Sequence, residues 1–209
     1  MKILAIIQAR MGSTRLPNKV MMRINHVPMI ELLINRLSKS KHINQIVLAT
    51  SDNDNNLSLV NHVEDLGYEV FLGDESNVLD RYFHAAKLFK ADVVVRITGD
   101  GPLVDSALVD EVIDGFVDSS ADYASNREPP TYPDGLDVEV VSIKALEDAQ
   151  KNAQDDFQRE HVTPYIINSG TYKKFYLENS EDLSAERWTV DEPEDFAVVQ
   201  NIFDFFHPR

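Results

Sequence analysis

Arg10, Arg15 and Lys19 fall close together near the N-terminus, in the stretch IIQARMGSTRLPNKV from Ile6 to Val20, with no acid between them. The rest of the chain runs the other way. Lys and Arg number 20 against 35 Asp and Glu, a formal net charge of −15 over 209 residues. The cations follow directly on the apolar run ILAII (Ile3–Ile7), which reads as a buried strand. In an open α/β sheet, ligands bind outside the carboxyl ends of the strands, and the loop after the first strand is such a place. Ala9, Gly12 and Ser13 are small enough to let the backbone approach a ligand, with N–H groups facing phosphate oxygens. Arg10, Arg15 and Lys19 would add charge-assisted donors. The spacing is not that of a P-loop, since Gly12 and Lys19 lie wrongly apart and no glycine precedes the lysine. Nor is it a dinucleotide fingerprint, because Gly12 stands alone. On charge alone, a solvated loop with ordinary surface cations explains the same residues.

A pair of carboxylates is the second candidate. Asp100 follows DVVVRIT, the most apolar strand of the chain, and Asp191 follows RWTV, expected as a short strand. A parallel sheet could bring both ends to the edge that carries the basic loop. Hard oxygen ligands beside a polyphosphate suit Mg2+, which shares its sites with substrate phosphates. Taken singly, Asp100 reads as a turn residue and Asp191 as the N-cap ahead of Pro193. The 6 histidines form no HExxH arrangement that would suggest zinc.

The elements that must position these groups alternate. ILAII, IVLAT (Ile46–Thr50), YEVFL (Tyr68–Leu72) and DVVVRIT (Asp92–Thr98) are short, apolar and mostly β-branched. Between them lie helical patterns. PMIELLINRLSKS opens with Pro28 at a first helical position, and NLSLVNHVEDLG aligns Leu57, Val60, Val63 and Leu66 before Gly67. SNVLDRYFHAAKLFK offers Ser76 as a cap and aligns Leu79, Tyr82, Phe83 and Ala86. The alternation predicts an α/β fold, a mostly parallel sheet with helices on both faces. After about residue 120 the rhythm changes to strand, irregular loop and strand, then helices broken at Pro164, a strand near KKFYLEN and a final helix from Pro193. No linker or repeat divides the chain, so residues 1–209 read as a single domain, a nucleotide half to about 120 and a second-substrate half from about 121.

Composition narrows the class. Without cysteine there are no disulfides, thiolate nucleophiles or Cys-based zinc sites, which fits a reducing, cytoplasmic setting. MKILAII is too short for a signal peptide, and no segment has the apolar length of a membrane span. The acidic balance argues against nucleic-acid binding, which needs an extended basic surface.

QARMGSTRLPNKV resembles the N-terminal signature (P/Q)-A-R-x-x-S-T-R-L-P-x-K of the cytidylyltransferases that activate sugars. The similarity is greatest to the spore-coat polysaccharide branch, with relatives that activate 3-deoxy-manno-octulosonate and acylneuraminate. It continues in order through LATSDN, GDESNVLDRY, RITGDGPLVD, YPDGLDVEV, REHVTPYI and WTVDEPEDF, nearly the whole chain. Gly101 departs from the branch, which commonly has cysteine there. The resemblance implies a Rossmann-like, GT-A-like nucleotidyltransferase architecture. It implies that Gln8, Ala9, Arg10, Gly12, Ser13, Arg15 and Lys19 hold CTP, that Asp52 and Arg81 face the nucleoside, and that Asp100 and Asp191 bind Mg2+. Arg10, Lys19, Asp100 and Asp191 would then form the catalytic set. Arg81 also reads as a surface arginine on an amphipathic helix.

The implied reaction is attack of a sugar hydroxyl on the α-phosphate of CTP, giving a CMP-sugar and pyrophosphate for surface polysaccharide or glycan synthesis. A homodimer is expected by the same resemblance. Asp137, Glu139, Arg159, Glu160 and His161 are candidate walls for a sugar or sugar acid. Asp134, Asp137 and Glu139 crowd one stretch and would repel a carboxylated sugar unless Arg127 or Arg159 compensates, which favours a neutral or amino-bearing one. Alternatively, strand alternation points Asp137 and Glu139 to one face and Val138 and Val140 to the core. Two rival functions remain open: a nucleotidyltransferase using another nucleoside triphosphate and a sugar 1-phosphate, and a glycosyltransferase-like protein that binds a nucleotide sugar. The second typically carries a D-x-D motif, which TGDG lacks.

Overall fold

β1 (Ile3–Gln8) sends Ile3, Ala5 and Ile7 into one core and Leu4 and Ile6 into another, as a strand buried on both faces must. The computed structural model describes residues 1–206. After β1 come a hairpin of β2 (Arg23–Ile24) and β3 (Val27–Pro28), then α1 (Met29–Leu37), β4 (Gln45–Ser51), α2 (Leu57–Asp65), β5 (Glu69–Gly73), α3 (Val78–Leu88) and β6 (Val93–Thr98). The second half adds α4 (Ser106–Ser119), β7 (Tyr123–Ser125), β8 (Glu139–Ser142), α5 (Ile143–Asn152), α6 (Asp156–His161), α7 (Pro164–Asn168), β9 (Lys174–Tyr176) and α8 (Pro193–Phe206).

Strands from both halves join one sheet in the order β5-β4-β1-β6-β8-β7-β9. It is mostly parallel, and β8 is the strand that runs against its neighbours β6 and β7. Buried side chains of α1, α2, α4 and α8 pack on one face, and those of α3, α5 and α7 on the other. Among the described residues no helix is long and apolar enough to cross a membrane.

Some local expectations need correction. Leu57 is exposed, and Leu59 and Val63 are the buried residues of α2. The reason is Asn56, whose buried side chain bonds inward and sets the rotation of the helix that follows. Asn77, not Ser76, caps α3, accepting from Asp80 N at 3.1 Å. Pro28 precedes α1 as its cap and closes β3. RWTV forms no strand, only an isolated bridge of Arg187 with Asp134. Its partners are loops, with Trp188 N donating to Asp134 O at 2.7 Å and Val190 N to Asp100 O at 2.8 Å.

The chain leaves β1 for β4 on one side and returns to β6 on the other, so the strand order reverses between β1 and β6. A ligand crevice is expected at their carboxyl ends. There Gly99 N donates to Gln8 O at 2.8 Å. A Cβ on Gly99 would lie 2.6 Å from that of Ala9, so the close approach of these two loops requires glycine.

Candidate active site

A cleft of ≈ 760 Å³ opens at this reversal point. Gln8, Thr98 and Asp100 lie at its strand ends, the loop after β1 forms one wall, and the segment from Asp74 to Val78 forms the other. Arg10 and Glu75 span the two walls as an ion pair at 2.8 Å. Ala9, Ser13 and Arg15 line the cleft with them; Gly12 and Asp52 are not among its lining residues. Asp52 is exposed past the end of β4, where its N–H donates to Gly73 O.

The basic loop is knotted at Met11. Met11 O accepts from Ser13 N at 2.9 Å and Asn18 N at 3.1 Å, while Met11 N donates to Asn56 Oδ1 at 2.9 Å. Asn56 in turn donates to Ser51 O and Oγ at the end of β4.

Lys19 and the two aspartates converge. The buried Lys19 ammonium donates to Val190 O at 2.7 Å and Asp191 Oδ1 at 2.9 Å, with Asp100 Oδ2 at 3.4 Å. Arg15 reaches Asp191 Oδ1 at 3.0 Å, and Arg187 reaches Asp191 Oδ2 at 3.1 Å. Burial raises the Asp191 carboxyl, but Lys19, Arg15 and Arg187 outweigh it and hold the group below its ordinary value. Asp195 clamps the same segment by accepting from Asp191 N and Glu192 N, both at 2.9 Å.

Arg81 is 3% exposed, which rules out the surface-arginine reading. It lines the cleft from α3 and donates to Asp74 O at 2.6 Å, while its Nε has no partner. Burial holds its guanidinium below the ordinary value.

A second cleft of ≈ 670 Å³ lies beside the first, and Arg15, Thr98, Asp100 and Asp191 line both. The candidate sugar residues divide between them. Asp137 and His161 line the second cleft, whereas Arg159 and Glu160 line the first. Glu139 lines neither and is 1% exposed, so it is not a pocket wall. It stands opposite Arg96 in the β6–β8 register and pairs with it, while Tyr123 Oη and Thr163 Oγ1 each donate to Glu139 at 2.7 Å. Val138 and Val140 point to the core, as alternation expects, and burial of Glu139 on the opposite side is compensated by Arg96 and Arg127. Burial pushes Asp137 up to about 6, with Arg127 offsetting only part of it.

Sequence reasoning missed Asn56, Arg96 and Arg187. A charge inside the apolar strand DVVVRIT was a usable signal for Arg96, because a buried cation needs a partner. Nothing local marks Asn56 or Arg187.

No group of three or more His, Cys, Asp or Glu side chains is arranged to hold a metal among the described residues. What the protein offers is Asp100 and Asp191 around a single cationic point, now taken by the Lys19 ammonium. That donor set fits Mg2+, which takes one or two carboxylates and completes its shell with phosphate oxygens and water.

A family model described as "Cytidylyltransferase" matches residues 4–197. An uncharacterised protein of Methanocaldococcus jannaschii is 42% identical over 213 residues, covering 99% of this chain and 86% of that protein. The spore coat polysaccharide biosynthesis protein SpsF of Bacillus subtilis is 36% identical over 209 residues, covering 96% of this chain and 86% of its own. Among solved structures, a cytidylyltransferase from Leptospira borgpetersenii matches with a TM-score of 0.95 at 32% identity, over 99% of this chain and 88% of that one. A CMP:2-keto-3-deoxy-manno-octonic acid synthetase complexed with CTP has the same fold at 18% identity, with a TM-score of 0.77 over 99% and 100% of the two chains.

Proposed function

This chain belongs to the cytidylyltransferase family, and on that premise we propose that it transfers the CMP part of CTP to a sugar hydroxyl. One observation carries the reading: two clefts meet at Asp100, Asp191 and Arg15. A reaction that joins two substrates needs such a junction.

CTP occupies the first cleft, with Arg10, Ser13 and Arg15 donating to its phosphates. The sugar occupies the second and presents its hydroxyl at the junction. The hydroxyl oxygen bonds to the α-phosphorus and releases its proton to water, the bond from that phosphorus to the oxygen bridging to the β-phosphate breaks, and pyrophosphate leaves along the basic loop. Asp100 and Asp191 would hold Mg2+, which when bound would supply neutralising charge at the phosphates. The protein's share is orientation and charge, because little covalent chemistry is asked of it. Lys19 keeps the two carboxylates together and balances part of their charge. Both halves of the chain act as one catalytic unit.

Pyrophosphate release, measured with each of four nucleoside triphosphates against a sugar panel with and without Mg2+, tests this. Release with CTP and a free sugar is expected. Release only with another nucleotide and a sugar 1-phosphate, or none at all, overturns it.

A further inference from the structure

α6 serves both clefts, although it buries none of its own side chains. Asp156, Arg159 and Glu160 line the first, whereas Phe157 and His161, one turn apart, line the second. The helix is tied at its start by Asp155, whose side chain accepts from Gln158 N at 2.8 Å. At its other end Val162 takes φ 71° and ψ −56°, and Thr163 N donates to His161 O at 2.8 Å. That is a γ-turn of the rare, strained kind, costly above all for a β-branched residue. Such strain persists only where the surroundings impose it. Here Val162 is buried in the core and Thr163 Oγ1 donates to Glu139 at 2.7 Å, so α6 is held against the cleft.

Phe157 is the side chain this arrangement leaves open. Its ring is 60% exposed yet lines the second cleft, and its centroid lies 4.5 Å from that of the His161 ring, at 55°. Pro164 and Ile167, the other apolar side chains there, are buried and half-buried. We propose that the acceptor, in the transfer reaction inferred above, is a pyranose whose C–H face lies on the Phe157 ring, with His161 extending the platform. A pyranose carries hydroxyls around its rim and apolar C–H bonds on its faces. That matches a cleft that combines one open aromatic ring with charged donors and acceptors, Arg96, Arg127 and Asp137 among them. Covering the ring removes its apolar surface from water, and this drives the contact. Stacking reads ring shape and not charge, so the platform takes neutral and acidic sugars alike and leaves their discrimination to the polar groups.

The test uses glucose and glucuronate, which share a ring and differ in charge, with binding read by saturation-transfer NMR on the full chain. Both are expected to bind wild type, their ring C–H protons receiving the strongest saturation. Phe157→Ala is expected to weaken both about tenfold, the scale of one aromatic contact with its buried area. Phe157→Tyr, which keeps the aromatic face, is expected to restore them, while CTP affinity by calorimetry is the same in all three proteins. Equal sugar binding by wild type and Phe157→Ala overturns the proposal, as does wild type that binds neither sugar. So does a change of oligomeric state in Phe157→Ala by analytical ultracentrifugation, which would make the ring a contact between copies. The transfer reading fails differently: sugar binding that depends on Phe157, with no pyrophosphate released from CTP by any sugar, removes the reaction and leaves the platform standing.

Discussion

Asn56 Oδ1 accepts a hydrogen bond from Met11 N at 2.9 Å, tying the loop after β1 to the end of β4. Met11 is the point on which that loop turns, since its carbonyl receives both Ser13 and Asn18. A side chain 3% exposed thus sets where the basic residues stand. Asn56→Leu leaves Met11 N without its partner, and an unmet buried donor costs about 1–3 kcal/mol. The expected result is a KM for CTP raised roughly tenfold. Equal KM values for Asn56→Leu and wild type in steady-state assays would reduce Asn56 to a packing role.

Arg15 and Lys19 separate by burial. The Arg15 side chain is 57% exposed, so Arg15→Ala is expected to weaken CTP by roughly tenfold to a hundredfold without moving the melting temperature. Lys19 is buried between two carboxylates. Lys19→Ala is expected to lower both activity and melting temperature, because it removes the buried cation held between Asp100 and Asp191. Calorimetric melting beside CTP titration distinguishes the pair. An unchanged melting temperature for Lys19→Ala would contradict its placement.

Asp100→Asn and Asp191→Asn keep shape and remove charge. Each is expected to lose most turnover, with partial recovery at high Mg2+, and the double variant is expected to be little worse than the poorer single one. Assays across a Mg2+ series decide this. A stable Asp191→Asn protein with normal turnover at limiting Mg2+ excludes a shared role.

The Asp137 carboxyl has a folded value of about 6 against an ordinary 3.8. The folded state therefore holds this proton more tightly than the unfolded one. Its contribution to stability is fully present below pH 3.8 and is lost as pH rises through about 6. Asp137→Asn is expected to gain stability over wild type above that value and to match it in acid. Denaturant midpoints between pH 3.5 and 7.5 measure this; a constant difference across the range rejects it.

Glu139→Ala strands the Arg96 guanidinium, itself 9% exposed. Removing one partner of a buried ion pair costs about 3–5 kcal/mol. A large drop in the denaturant midpoint is expected. A small drop accompanied by altered sugar selectivity would return Glu139 to the pocket wall.

The strand-helix alternation was legible because buried parallel strands write themselves as short β-branched runs, and β1, β4 and β6 fall where those runs predict. Asp100 and Asp191 were legible as carboxylates behind extended segments, and the structure brings both onto Lys19. The fate of Glu139 was not. The alternation in DVEV separates Glu139 from Val138 and Val140, but whether its face meets solvent or an arginine depends on β8 lying antiparallel beside β6. That pairing joins residues far apart in the chain, as do Asn56 with Met11 and Arg187 with Asp134. Local pattern carries no record of it.

The reversed direction of β8 has a bearing on how such a protein can diversify. Because β7 and β8 are antiparallel neighbours, the connection between them turns back at the same sheet edge where β6 ends. That one connection supplies Arg127, Glu128, Asp134, Gly135 and Asp137 to the second cleft and no lining residue to the first. Insertions, deletions or grafted segments there can reshape the acceptor side while the loop after β1 and its Asn56 anchor stay as they are. Acceptor choice is thereby separable from nucleotide choice at the level of a single exchangeable stretch of chain, a natural starting point for directed recombination between relatives.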